Sequence, residues 1–326
     1  MSLDGRVVVG DVGGTHARFA VVDTATKPWN ISNRYDSDKS ASDFSATLRD
    51  YLDHAGLGTL PAAIAIAAAG PVTDGRVRLT NRNWDLSEEA LRGLGFPEAV
   101  LVNDFAALAF SVEALEDKDS RLIGPALVGL RSEPVSIIGA GTGFGAACLA
   151  RFRGRAVAIA TEGGHATFAP IGAREMEVVR VLGKRFPHVS IERVLSGPGL
   201  ENLHAALAEI DGRPSPALKA ADIVAQHDRD PTARAAVEMF GAIYGSVAGD
   251  FALVHGARGG VYIAGGIASK IETILQCGIF RERFETKGRL SHYVQAIPTR
   301  LVLSEDTAFL GAANASLEFR AHRSGG

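Results

Sequence analysis

The sequence predicts an α/β protein of two domains, and three observations carry that reading. Apolar strand-like runs alternate with helical stretches along the chain, the pattern of α/β folds. With 326 residues, 46% of them hydrophobic, the chain can build about two domains with substantial cores. A strand–glycine turn–strand pattern occurs twice, and sliding the chain along itself superposes Gly13 on Gly141 and Thr15 on Gly143.

Taken in order, the apolar run Val7 to Gly10 ends at Asp11-Val-Gly-Gly-Thr15 and a second run spans Ala17 to Val22, a hairpin closed by a glycine turn. Between Ser42 and Ala55, Phe44, Leu48, Tyr51 and Leu52 fall on one helical face. Ala62 to Ala69 reads as a buried strand ending at Gly70-Pro71. Ser87 caps a helix to Leu94, with Glu88 and Glu89 in its first turn. Val100 to Val102 is a strand, followed by Asn103-Asp104 and an Ala-rich helix from Phe105 to Leu115. The second hairpin spans Val135 to Leu149. Helices are expected at Leu200 to Ile210 and Thr232 to Val254, with Ser196-Gly-Pro-Gly199 as a helix break. Val261 to Ala264 is a strand broken at Gly265-Gly266, Pro298 to Leu303 a further strand, and Thr307 to Leu317 a closing helix. The polar tail from His322 is expected to fray.

Lys plus Arg number 34 and Asp plus Glu 37, a net charge of −3 with no basic run, so nothing draws the chain to nucleic acid or anionic membrane. The longest apolar run, Ala62 to Ala69, is far short of a membrane span, and the N-terminus is charged too early for a signal peptide. Cys148 and Cys277 are the only cysteines, far apart, which excludes a disulfide framework, argues against a cysteine zinc site and fits a reducing cytoplasm. Both read as core fillers.

Four segments can carry chemistry. The first glycine turn can aim backbone N–H groups at a phosphate, with Thr15 adding a hydroxyl and Asp11 a carboxylate for Mg²⁺; a plain hairpin turn explains the same residues. The turn lacks the GxxxxGK[ST] of a Walker A loop, and its glycines lie between two strands, unlike a dinucleotide fingerprint. Asn103-Asp104 is either a helix cap or a carboxylate at a strand end, placed to take a proton from an attacking hydroxyl. Glu162-Gly-Gly-His165 offers an acid and an imidazole suited to sugar hydroxyls, or is a hairpin corner with a surface Glu–His pair. Glu192 is a sugar ligand, or merely an acid in the first turn of a helix capped by Ser190.

Seven segments resemble, in order, those of the bacterial glucokinase family of the hexokinase/actin-like ATPase superfamily. They are Gly10-Asp-Val-Gly-Gly-Thr-His-Ala-Arg18, Thr80-Asn-Arg-Asn-Trp84, Leu101-Val-Asn-Asp-Phe105, Gly139-Ala-Gly-Thr-Gly143, Glu162-Gly-Gly-His165, Glu192-Arg-Val-Leu-Ser-Gly-Pro-Gly199 and Ile263-Ala-Gly-Gly-Ile267. The resemblance implies two actin-like (ribonuclease H-like) α/β domains, residues 1–113 plus 304–326 and residues 114–303, with the active site in the interdomain cleft. It implies Asp104 as catalytic base, and Asn103, Asp104, Glu162, His165 and Glu192 as sugar ligands. Gly13, Gly14 and Thr15 match one phosphate loop, Gly141, Thr142 and Gly143 the other, Gly265 and Gly266 the adenosine segment, and Asp11 the metal-associated acid. The implied cofactors are ATP and Mg²⁺, the implied assembly a homodimer, and the implied reaction phosphorylation of glucose at its 6-hydroxyl, with domain closure on the sugar.

A kinase for mannose or an amino sugar, or a non-catalytic sugar sensor, are the rival readings. His165 is followed by Ala-Thr-Phe-Ala-Pro170 without the cysteine-rich segment of the related repressor and kinase (ROK) family, so no structural zinc is expected. No helix-turn-helix precedes Arg6, which argues against a repressor. Trp84 is expected in a loop near the cleft, as a fluorescence reporter.

Overall fold

Strand β1 (Arg6–Val12) opens the computed structural model, which describes residues 5–13, 16–37, 43–79, 84–214 and 216–324. It turns back into β2 (Ala17–Asp23), which pairs with β3 (Asn30–Ser37). Helix α1 (Phe44–Ala55) is capped by Asp43, whose carboxylate accepts the Ala46 N–H. Then come β4 (Ala63–Ala68), the hairpin β5 (Arg76–Leu79) and β6 (Trp84–Ser87), α2 (Glu88–Gly93), β7 (Glu98–Asn103) and α3 (Asp104–Ser111). Strands β8 (Ser120–Ile123), β9 (Val135–Ala140), β10 (Phe144–Phe152) and β11 (Arg155–Thr161) lead to α4 (Gly172–Leu182), α5 (Gly197–Ile210), α6 (Ala220–Gln226) and α7 (Pro231–Val254). After β12 (Gly260–Ala264) run four short helices, α8 (Gly266–Lys270), α9 (Glu272–Gln276), α10 (Ile279–Glu285) and α11 (Ser291–Gln295). Strand β13 (Thr299–Val302) and α12 (Thr307–Ser324) finish the chain.

Contacts divide the chain into two compact units, one of Met1–Asp119, Arg151–Ala160 and Ser304–Gly326, the other of Ser120–Ala150 and Thr161–Leu303. One sheet has the order β3-β2-β1-β4-β7 and the other β11-β10-β9-β12-β13-β8. In both, an antiparallel hairpin (β1–β2, β9–β10) is followed by two parallel pairings, β1–β4–β7 and β9–β12–β13. The superposition of Gly13 on Gly141 thus marks a shared five-strand topology, and each glycine turn joins the same two strands of its sheet.

In the first unit every residue of β4 is buried. Two helices of this unit lie close: a Cβ on Gly311 of α12 would fall 1.7 Å from the Ala107 carbonyl oxygen of α3, so they touch backbone to backbone. Asn314 adds a buried hydrogen bond from its Nδ2 to the Phe110 carbonyl, 3.1 Å. In the second unit α7 is the core helix. It is long and apolar enough to cross a membrane by length and composition, but 72% of its apolar window is buried, with its Phe240 and Tyr244 in the same core as Phe280 and Phe284.

Several expectations change. Ser196-Gly-Pro-Gly199 starts a helix instead of breaking one: Ser196 Oγ accepts the Gly199 N–H at 2.9 Å and Pro198 sits in the first turn, where its missing N–H costs nothing. The closing helix runs on through Ser324, so the segment from His322 is helical as far as the described residues go. The helix after Asn103 stops at Ser111, short of Leu115. Trp84 is not in a loop; it opens β6, is 3% exposed and packs edge-on to Phe44. Cys148 is buried as expected, but Cys277 is exposed at the end of α9.

Candidate active site

The first unit brings three polar residues to the ends of β1 and β7, the strands that flank β4. Asp11 lies opposite Arg18 in the β1–β2 pairing, and one of its oxygens accepts from Arg18 Nε at 3.2 Å and Nη2 at 2.6 Å. The Arg18 guanidinium lies 5.4 Å from the centre of the Phe309 ring of α12. Gly13 N–H closes its turn on the His16 carbonyl, 2.9 Å. Gly14 and Thr15 lie outside the described residues, as do Thr80 to Asn83.

Of the two readings of Asn103-Asp104, the cap belongs to Asn103. Its Oδ1 accepts the N–H groups of Phe105 and Ala106, and its Nδ2 donates to the Gly70 carbonyl at 3.1 Å. Asp104 is the first helical residue. One of its oxygens takes the Phe105 N–H at 2.9 Å. Burial raises its pKa to about 6, and the Asp11 charge adds to the rise; hydrogen bonds from Phe105 and Asn103 oppose it. A carboxyl so tuned is ionised at neutral pH yet basic enough to accept a proton.

In the second unit the start of β10 is the meeting point. Glu162 is followed by a tight 3₁₀ turn, Gly163–His165, so this segment is not a hairpin corner. A Cβ on Gly164 would fall 2.1 Å from the Phe144 carbonyl oxygen, which presses the turn onto the first residue of β10. Two backbone bonds, Phe168 N–H to Val189 and Ile191 N–H to the Ala166 carbonyl, staple this segment to the one carrying Glu192. Ser190 stands before the 3₁₀ turn Ile191–Arg193 but makes no side-chain cap bond. Glu192 turns instead to the second glycine turn, where one carboxylate oxygen accepts the Phe144 N–H at 2.9 Å beside Gly143. Glu162 and His165 are exposed and Glu192 half-buried.

The same glycine turn is closed by Gly141 N–H to the Gly143 carbonyl, and the Gly141 carbonyl accepts the Gly197 N–H, both at 2.8 Å. Gly265 has φ 91°, and a Cβ there would fall 2.2 Å from the Ala140 carbonyl oxygen, so only glycine lets the β12–α8 corner reach the end of β9. Gly266 begins α8 with open space around it. Between these elements lies a cavity of about 260 Å³ walled by Gly141, Thr142, Gly197, Pro198, Glu201, Ala220, Ala221, Val224, Ile267 and Lys270. Sequence reasoning missed its α5, α6 and Lys270 walls; the Ser-Gly-Pro-Gly helix start was the available signal. It also missed Tyr244, which is wholly buried, accepts the Ala140 N–H at 3.1 Å and donates to the Ala264 carbonyl at 3.2 Å, tying together the strand ends that carry both glycine corners. Burial raises the Tyr244 pKa strongly, so it stays a neutral hydroxyl.

Among the described residues no three His, Cys, Asp or Glu side chains converge as a metal cage. A resident cation at Asp11 would draw most of its ligands from phosphate and water, as Mg²⁺ does, and the Asp11 oxygen turned away from Arg18 fits that role.

With this geometry in hand, the relatives are informative. The glucokinase family model matches residues 8–318. The chain is 47% identical over 313 residues to a glucokinase of Caulobacter sp. strain K31, covering 95% of this chain and 94% of that one. It is 44% identical over 314 residues to a glucokinase of Caulobacter vibrioides, with the same coverage. Its fold superposes on the crystal structure of a glucokinase from an Antarctic psychrotroph with a TM-score of 0.89 at 33% identity, covering 96% of this chain and 99% of that one. The doubled sheet topology is the actin-like α/β architecture, and the chain belongs to the glucokinase family.

Proposed function

We propose that this protein transfers the γ-phosphoryl group of ATP to the 6-hydroxyl of glucose, giving glucose 6-phosphate. The observation that carries the reading is Asp104: an acid at the first turn of a helix, held by the Phe105 N–H, with a pKa of about 6 beside Asp11. Asp104 takes the hydroxyl proton as the sugar oxygen attacks the phosphorus. Asn103, held by the Gly70 carbonyl through Nδ2 and hydrogen-bonded to Asp104, meets the sugar beside it. Glu162, His165 and Glu192 supply the remaining sugar contacts. Gly13, Gly14 and Thr15 in one unit, and Gly141, Thr142 and Gly143 in the other, receive the phosphates through backbone N–H groups. The cavity walled by Ile267 and Lys270, which follow Gly265-Gly266 in the chain, receives the nucleoside. When bound at Asp11, Mg²⁺ would neutralise phosphate charge.

The reading takes the protein as a cytoplasmic homodimer of two-domain subunits, 1–113 plus 304–326 and 114–303. An assay coupled to ADP release, run over glucose, mannose and glucosamine with Mg·ATP, tests it. Glucose is expected to give the highest kcat/KM. A higher value for another hexose would reassign the substrate, and no ADP release with any hexose would leave a sugar sensor.

A further inference from the structure

The second glycine turn is held from two sides. On one side Glu192 accepts the Phe144 N–H at 2.9 Å, and its carboxylate lies so close to Gly143 that a Cβ there would fall 2.5 Å from Oε2. On the other side the Gly141 carbonyl accepts the Gly197 N–H at 2.8 Å. The two holds are themselves linked. The Glu192 carbonyl accepts the Ser196 hydroxyl at 2.8 Å, and Ser196 Oγ caps α5 by accepting the Gly199 N–H at 2.9 Å. A closed ring therefore runs from Glu192 through Ser196 and Gly197 to the glycine turn and back to Glu192. The turn and Gly197 also form one wall of the 260 Å³ cavity. The second oxygen of Glu192 has no protein partner among the described residues.

From this ring we infer that Glu192 is a positioning residue for the nucleotide as well as a sugar ligand, and that it couples the two sites. One oxygen fixes the glycine turn and the other meets a sugar hydroxyl. Sugar binding then orders the carboxylate and holds the turn in the shape that receives phosphate. The inference rests on the proposed sugar role of Glu192 and on the turn as a phosphate loop. Coupling of this kind is reciprocal, so nucleotide must tighten glucose by the factor by which glucose tightens nucleotide. The expected factor is about 5-fold or more.

Calorimetry on the full chain tests it, with glucose and a non-hydrolysable Mg·ATP analogue each titrated alone and in the presence of the other. The native protein should show mutual tightening. In Glu192→Ala the analogue measured without glucose should bind about 5-fold or more weakly, and the coupling factor should fall to about one. Glu192→Gln keeps an amide oxygen for the Phe144 N–H and should recover most of the analogue affinity while glucose remains weakened. Gly143→Ala, which displaces the carboxylate without removing it, should weaken both ligands and serves if Glu192→Ala does not fold.

Unchanged analogue affinity in both Glu192→Ala and Gly143→Ala would overturn the inference and leave the sugar role intact. Weakened analogue with unchanged glucose affinity would instead remove Glu192 from the sugar site, and with it the coupling.

Discussion

Arg18 and Asp11 face each other across the first hairpin, and two guanidinium nitrogens of Arg18 converge on a single oxygen of Asp11. That geometry fixes the carboxylate and leaves its other oxygen for the Mg²⁺-bound water proposed there. Both side chains are partly exposed, 37% and 25%, so the pair is worth only about 1 kcal/mol to the fold. Arg18→Met should therefore lower the melting temperature by a few degrees at most while raising the Mg²⁺ concentration needed for half-maximal activity several-fold. Parallel melts and Mg²⁺ titrations check this. An unchanged Mg²⁺ requirement would show that Asp11 needs no such fixing.

Asp104 carries a stability cost that its removal should reveal. Its folded pKa of about 6 lies above the ordinary Asp value of 3.8, so the folded state holds the proton more tightly than the unfolded state. Stability is then lost as pH rises from about 4 to about 6, by at most about 3 kcal/mol. Asp104→Asn should melt higher than the native protein near neutral pH and at the same temperature at about pH 4, while turnover falls by about 10²-fold or more. Equal melting at both pH values would mean that the ionised group costs nothing.

As the proposed base, the same carboxyl should set the acid side of the pH–rate profile. A base must be deprotonated, so kcat/KM for glucose should fall below pH of about 6 with a slope of one proton. A profile flat to below about pH 5 would rule out a base with that pKa.

The hairpins and the buried strand β4 were legible because apolar runs met glycine at their ends. Strand β3, with sequence Asn-Ile-Ser-Asn-Arg-Tyr-Asp-Ser, was not, because an edge strand facing water keeps few apolar residues to reveal its period. Helices α8, α9 and α11 are five residues each, too short for a helical face to repeat. Asn103 and Ser87 were readable as caps because capping is local. The bond from Phe144 to Glu192 joins residues 48 positions apart, and the Tyr244 bridge to Ala140 spans 104. No local rule reports contacts of that range, so the sequence named Glu192 through family likeness without showing what its side chain holds.

Tyr244 offers a test of that bridge. Tyr244→Phe keeps the ring among Phe144, Phe240 and Phe280 but leaves the Ala140 N–H buried without its hydroxyl partner. The expected loss is about 1–3 kcal/mol in denaturant unfolding, with the analogue of Mg·ATP bound more weakly. A variant as stable as the native protein would show that the bridge is replaceable, for example by water.

The first unit is stitched from both ends of the chain. Helix α12 lies directly on α3, the helix that begins at Asp104, with Gly311 against Ala107 and Asn314 bonded to Phe110. During synthesis the N-terminal strands leave the ribosome long before residues 304–324, whereas the six strands of the second sheet and helix α7 all lie between Ser120 and Leu303. The second unit can therefore complete its core first, and α3, which begins at Asp104, gains its backing only after residues 307–324 have been made. A nascent chain that has not yet released residues 304–324 would hold the second unit but lack the helix that backs α3, and with it the seat of the proposed base, Asp104.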